Sequence, residues 1–202
     1  MATLRTAYFD AHDKDLAVEI SQETKGTMRA FFLHCLQAAE YEYNPTDFHT
    51  PERAQKDADA IREACKGWGT NDRQLFQIIC RSPAQHLQAV DAAYNATYGK
   101  TLVEAVKREL GGDVEAAVVF TIGMKLNPYA TVAQLVDEAC KGMGTDEKLL
   151  VVTLIRYQNI LKEVDEAHQA AYGKSLVERI KSETGGLLDN VLVEVVNCMV
   201  NA

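Results

Sequence analysis

The sequence predicts an all-α fold built from tandem units of five short helices each. Two observations predict it. Glu63-Ala-Cys-Lys-Gly-Trp-Gly-Thr-Asn-Asp72 recurs 75 residues later as Glu138-Ala-Cys-Lys-Gly-Met-Gly-Thr-Asp-Glu147, and Tyr98-Gly-Lys-Thr-Leu-Val-Glu104 recurs 74 residues later as Tyr172-Gly-Lys-Ser-Leu-Val-Glu178. The change of offset places a one-residue deletion between Arg156 and Asp165. Within each copy the apolar residues also fall at helical spacing, as in Leu75, Ile78, Ile79 and in Leu149, Val152, Leu154, Ile155.

Taken in order, residues 1–39 carry only the second half of a copy. Asp13-Lys-Asp-Leu-Ala-Val-Glu19 matches the Tyr-Gly-Lys segment, and Glu23-Thr-Lys-Gly26 matches the Glu109-Leu-Gly-Gly and Glu183-Thr-Gly-Gly segments that close the full copies. A polar stretch containing Pro45, residues 40–51, reads as a linker. Two full copies follow, 52–127 and 128–202. Helix starts are marked by Thr50-Pro51-Glu52, with Pro at the first helical position, and by capping boxes at Thr101-x-x-Glu104, Ser175-x-x-Glu178 and Thr131-x-x-Gln134. The glycine pairs 111–112 and 185–186 end helices and let the chain turn. Because the half copy lacks two helices, Phe31, Phe32 and Leu36 are expected to lie uncovered, which predicts self-association through this truncated repeat or a partner that supplies the missing surface.

Composition narrows the function. Apolar residues make up 47% and charged residues 25%, enough to bury a core. The five cysteines, at 35, 65, 80, 140 and 198, form no C-x-x-C pair, so the expected compartment is the reducing cytoplasm. The N-terminal residues carry no apolar signal region, and no apolar run approaches the roughly 18 residues needed to span a bilayer. A formal charge of −8 argues against nucleic acid and against a polybasic lipid patch. Attraction to an acidic surface would then require a bound cation.

The chemistry gathers in the two repeated turns, Lys66-Gly-Trp-Gly-Thr70 and Lys141-Gly-Met-Gly-Thr145. Two glycines one residue apart allow backbone angles closed to other residues, so that several carbonyls can face one point. Calcium suits such a point, since it takes six to eight oxygen ligands. Carbonyls are neutral and need a carboxylate beside them; Glu109 and Glu183 occupy matching positions in the two copies. If the helices of a copy form a bundle, loops distant in sequence meet at its end.

The pattern K-G-x-G-T-[DN]-[DE], with Y-G-K-x-L and an acidic turn about 40 residues on, resembles the annexin repeat over nearly the whole chain. The resemblance implies half of repeat two followed by repeats three and four, with the calcium loops on one face of a curved disc. It implies one Ca2+ held by the carbonyls of Cys65, Gly67 and Gly69 with Glu109, and another held by Cys140, Gly142, Gly144 and Glu183. The spacing from Gly69 to Glu109 is the family's 40, whereas Gly144 to Glu183 is 39, so the first site is expected to be the stronger. Secondary metal positions are implied at Thr70 and Asp72, Thr145 and Glu147, and Glu115, with Asp189 as a further candidate. Glu23 matches the carboxylate position without a loop to serve. Trp68 and Met143, at the loop apices, are placed for membrane contact.

The expected function is calcium-dependent binding to anionic phospholipid of the phosphatidylserine kind, peripheral on membranes when calcium rises, with the ion bridging loop carbonyls and glutamate to lipid phosphate. The competing expectation is a calcium-independent helical scaffold for protein partners. No nucleophile with a base, paired carboxylates or cofactor motif suggests an enzyme. Gly99-Lys100-Thr101 and Gly173-Lys174-Ser175 lack the earlier glycine and the strand of a P-loop, and no segment has the acid spacing of an EF-hand. The five histidines show no metal-ligand spacing and read as surface or packing residues, and Arg81 and Arg156 as structural ones.

Overall fold

A computed structural model describes residues 2–37, 41–65, 72–141 and 144–200. All the regular structure among them is helical. The half copy supplies α1 (Ala2–His12), α2 (Leu16–Glu23) and α3 (Gly26–Gln37). The first full copy supplies α4 (Pro51–Ala64), α5 (Asp72–Arg81), α6 (Ala84–Tyr98), α7 (Leu102–Glu109) and α8 (Gly112–Leu126). The second supplies α9 (Pro128–Ala139), α10 (Glu147–Arg156), a 3-10 turn at Gln158–Ile160, α11 (Leu161–Tyr172), α12 (Leu176–Glu183) and α13 (Gly186–Val200). These form two compact units, Met1–Leu126 and Asn127–Ala202.

The caps explain why the helices begin and end where they do. Thr101 and Ser175 each accept a hydrogen bond from the N–H of the residue three ahead, while Glu104 and Glu178 accept from the cap N–H groups at 2.7 and 2.8 Å. Thr101→Ala or Ser175→Ala is expected to lower the stability of its unit by about 1 kcal/mol, read from urea unfolding. Thr50 caps α4 as expected, with Pro51 next. The third box does not form. Asn127 caps α9 and Thr131 lies inside that helix, its hydroxyl donating to the Asn127 carbonyl at 2.8 Å. Asn-Pro supplies both a side-chain acceptor and a preset φ one turn earlier, so it outcompetes the later threonine.

Apolar burial defines the helix faces unevenly. In α5, Leu75 and Ile79 are fully buried and Ile78 partly so. In α10 the expected face is corrected: Leu150 and Leu154 are buried, whereas Val152 and Ile155 are exposed. The run Leu149-Leu-Val-Val-Thr-Leu-Ile155 is apolar almost all round, so spacing could not choose its inward stripe.

The half copy and the segment after it both pack inside the first unit. Phe31 and Leu36 are buried and Phe32 is half-buried, because α3 packs against α5 and α8 of the full copy. The Phe31 and Phe76 rings meet edge to face at 5.1 Å. Phe31 and Leu36 are thus covered within the unit, whereas Leu4, Phe9 and Val18 of α1 and α2 stay exposed.

The segment read as a linker is also anchored. Tyr41 N–H donates to the Arg81 carbonyl at 3.2 Å, and the ring of His49, only 4% exposed, lies tilted against that of His86 at 4.7 Å. His86 in turn meets Asp57 at 2.9 Å, and Asp57 pairs with Arg53 at 3.0 Å. His49, His86 and His168 are all buried rather than on the surface.

Burial, with help from His86 and Arg53, depresses the His49 pKa below its ordinary 6.5. Asn44 N–H donates to His49 Nδ1 at 2.9 Å, a bond that protonation would destroy. The folded state thus takes up this proton less readily than the unfolded one, so stability is full above about pH 6.5 and is lost as pH falls below it. Urea midpoints are expected to drop between pH 7.5 and 5.5, and His49→Gln to flatten that dependence.

Candidate metal centre

Each Lys-Gly-x-Gly-Thr turn joins the first two helices of its copy, and each candidate glutamate ends the fourth. In the first unit Cys65 caps the C-terminus of α4 and Glu109 is the last residue of α7. Both line one crevice with Arg62, Tyr94, Lys100, Ala105 and Arg108. Two helix C-termini here carry the negative ends of their dipoles, which favours a cation. Burial, and secondly the Glu109 carboxylate, push the Cys65 thiol up to about 11, so it stays protonated and serves packing. The Glu109 carboxylate has a 3.6 Å contact with Arg108, whose side chain is 59% exposed, a weak pairing in water.

Gly67, Trp68, Gly69 and Thr70 lie outside the described residues. Asp72 opens α5 and accepts a hydrogen bond from Thr27 Oγ1 of α3 at 3.2 Å, a link between copies that no motif announced. Glu115 is half-buried in the first turn of α8. Among the described residues no three His, Cys, Asp or Glu side chains gather to hold an ion. Any ion here would depend on main-chain carbonyls. Among the described residues the corner offers a divalent ion the Glu109 carboxylate and two negative helix ends, with Arg62, Lys100 and Arg108 lining the same crevice.

In the second unit the corresponding parts meet directly. Cys140 caps α9, Glu183 ends α12, and the Thr145 hydroxyl donates to the Glu183 carbonyl at 2.9 Å. Gly144 has φ +99°, a conformation that excludes most other residues. Gly142 and Met143 lie outside the described residues. The deletion falls at the 3-10 turn between α10 and α11, where Tyr157 follows α10 directly, and the contact from Thr145 to the end of α12 persists despite it. Glu147 is exposed at the start of α10, and Asp189 accepts from Thr184 Oγ1 at 3.3 Å.

This corner does not fit a metal ion as it stands, because Arg179 fills it. Its Nη1 donates to the Glu183 carboxylate at 3.1 Å and its Nη2 to the Cys140 carbonyl at 3.2 Å. The same nitrogen pairs with Asp137 at 3.3 Å, and Lys141 reaches the other Asp137 oxygen at 2.7 Å. The Arg179 and Asp137 side chains are 15% and 7% exposed. The signal was available: aligning the copies sets Arg179 against Ala105 and Asp137 against Arg62. In the first unit the Arg62 guanidinium lies over the Tyr98 ring at 5.4 Å.

Comparison with known proteins agrees with this architecture. The family model described as Annexin matches residues 56–120 and 131–195. Human annexin A13 is 34% identical over 139 residues, covering 68% of this chain and 43% of that protein. Mouse annexin A13 is 28% identical over 195 residues, covering 96% of this chain and 61% of its own length. The chain thus spans roughly half the length of the curated relatives it matches. The solved structure of annexin III superposes with a TM-score of 0.84 at 27% identity, over 95% of this chain and 59% of that one. A chicken annexin V structure gives 0.86 at 24% identity over 95% and 60%, a likeness of fold. With both full copies matched, the repeat motifs intact and the helical fold shared, the chain belongs to the annexin family.

Proposed function

We propose that the chain binds anionic phospholipid surfaces, of the phosphatidylserine kind, in a calcium-dependent manner, and that the first unit carries the ion. The observation that supports this most is the convergence of Cys65, the residue before the 66–71 segment, and Glu109 on one crevice. The residues that would hold Ca2+ are Cys65, Gly67 and Gly69 through carbonyls and Glu109 through its carboxylate. Calcium bound there would supply the positive charge that a lipid phosphate needs from a chain of net charge −8. Trp68, within the Lys-Gly-Trp-Gly-Thr segment, would enter the interfacial zone.

The neighbouring cations set the coupling. Arg62, Lys100 and Arg108 line the same crevice, so a divalent ion held by one carboxylate is weakly bound until phosphate arrives to balance the charge. By linkage, lipid must then raise calcium affinity as much as calcium raises lipid affinity. No helix among the described residues is long and apolar enough to cross a membrane, which accords with peripheral attachment. The proposed compartment is the cytoplasm, where calcium rises transiently.

The test is sedimentation with phosphatidylserine vesicles, first with calcium and then with chelator. Pelleting in calcium and release by chelator are expected. Equal pelleting in both conditions would favour the other reading, a calcium-independent scaffold, for which the Arg179 network in the second unit is the one supporting observation.

A further inference from the structure

We infer that Arg179 is the resident cation of the second loop, taking the place of calcium and excluding it. The inference rests on the calcium reading of the first unit only in using calcium as the competitor. An ion at this corner would need the Cys140 carbonyl and the Glu183 carboxylate, and both are already donated to by one guanidinium, at 3.2 and 3.1 Å. Arg179 sits one helical turn before Glu183 on α12, so the pair is preset by the i,i+4 geometry of that helix. A planar guanidinium offers several donors in a fixed fork, which lets it serve two carboxylates and a carbonyl together.

Charge counting points the same way. Asp137 and Glu183 contribute two negative charges, and Arg179 and Lys141 two positive ones, so the cluster is already neutral. A divalent ion would have to enter beside a guanidinium that is only 15% exposed and has little room to retreat into solvent. Asp137 is the second half of the device. Buried at 7%, it holds Arg179 from the α9 side as Glu183 does from its own helix, tying the ends of the two helices together. Neither charge exists in the first unit, where the counterparts are Ala105 and Arg62. The second loop is therefore closed by the protein itself at any calcium concentration, with Thr145 bonded to the Glu183 carbonyl.

The consequence is a chain with one calcium-operated loop and one permanently set loop. Removing Arg179 should uncover two carboxylates and a carbonyl, a richer donor set than the first unit has. Calcium titration calorimetry on the full chain, with phosphatidylserine vesicles, tests this using wild type, Arg179→Ala and Arg179→Ala with Glu183→Gln. Arg179→Ala is expected to bind one more ion per chain than wild type and to pellet at a calcium concentration lower by about tenfold or more, through the second attachment point. Adding Glu183→Gln should cancel that gain.

Two results overturn the inference: a folded Arg179→Ala chain that gains no ion, or a wild-type chain that loses one on Glu183→Gln. Should Arg179→Ala unfold without calcium, Arg179→Gln with Asp137→Asn removes the ion pair without leaving a buried unpaired acid; it should gain the ion too, and failure to do so while folded counts equally against the idea. The calcium reading of the first unit is judged separately, by Glu109→Gln in the wild-type background. A gain with Arg179→Ala stands whether or not that unit binds.

Discussion

Glu109→Gln is expected to abolish calcium-dependent pelleting on phosphatidylserine vesicles, or to raise the calcium needed by on the order of a hundredfold, because it removes the only carboxylate from a donor set otherwise made of neutral carbonyls. The change is close to isosteric, and the contact it weakens is a 3.6 Å pairing with an exposed arginine, so stability should shift by less than about 1 kcal/mol. Loss of pelleting with helical circular dichroism and unfolding midpoint intact is the outcome to look for. If Glu109→Gln pellets like wild type while chelator still releases both, the ion lies elsewhere and the first unit is not its seat.

Phe76→Ala is expected to cost the first unit about 3–5 kcal/mol, enough to unfold a marginal domain. Phe76 is fully buried and meets Phe31 of α3 edge to face at 5.1 Å, so truncation opens a cavity where the half copy joins the full one. Aromatic pairs of this kind add about 0.5–1.5 kcal/mol beyond the area they bury. Hydrogen exchange should show protection falling in α3, α5 and α8, the helices packed around that junction. Phe31→Ala should produce a similar pattern. A loss confined to α5 would mean that the half copy is held by other contacts.

These expectations separate what could be read along the chain from what could not. Local signals were reliable where the deciding atoms are near in sequence. The boxes at Thr101 and Ser175 formed because a hydroxyl and a carboxylate three residues apart satisfy each other's exposed N–H groups. The box at Thr131 failed because Asn127 and Pro128, equally local, made the stronger start. Gly99 and Gly173, members of the repeated Tyr-Gly-Lys segments, are the left-handed C-caps of α6 and α11, with φ of +67° and +71°. A matched pair of part-buried hydrogen bonds spans 11 residues in each copy: Asp91 and Asp165 each accept from a leucine N–H at the start of the fourth helix, at 2.7 and 2.6 Å.

The long-range features were different in kind. The 40–51 segment is polar in composition, yet His49 is buried because His86, Asp57 and Arg53 lie beneath it, residues contributed by two other helices. Phe31, Phe32 and Leu36 were expected to need an outside partner. Composition could show that they required cover but not that α5 and α8 provide it.

By itself the sequence determined the repeat, the five-helix plan of each full copy, most helix starts and the two turns where chemistry gathers, because these follow from periodicity and from interactions spanning a few residues. Only the tertiary structure decided that the described residues around the two turns are arranged differently. Among the described residues, the first pairs Glu109 with Arg108 at 3.6 Å and has Ala105 nearby, whereas the second encloses Arg179 between Asp137 and Glu183. The loop motif is nearly identical in both copies; the difference lies in a side chain some 35 residues further along, which matters only once packing sets α12 against the end of α9.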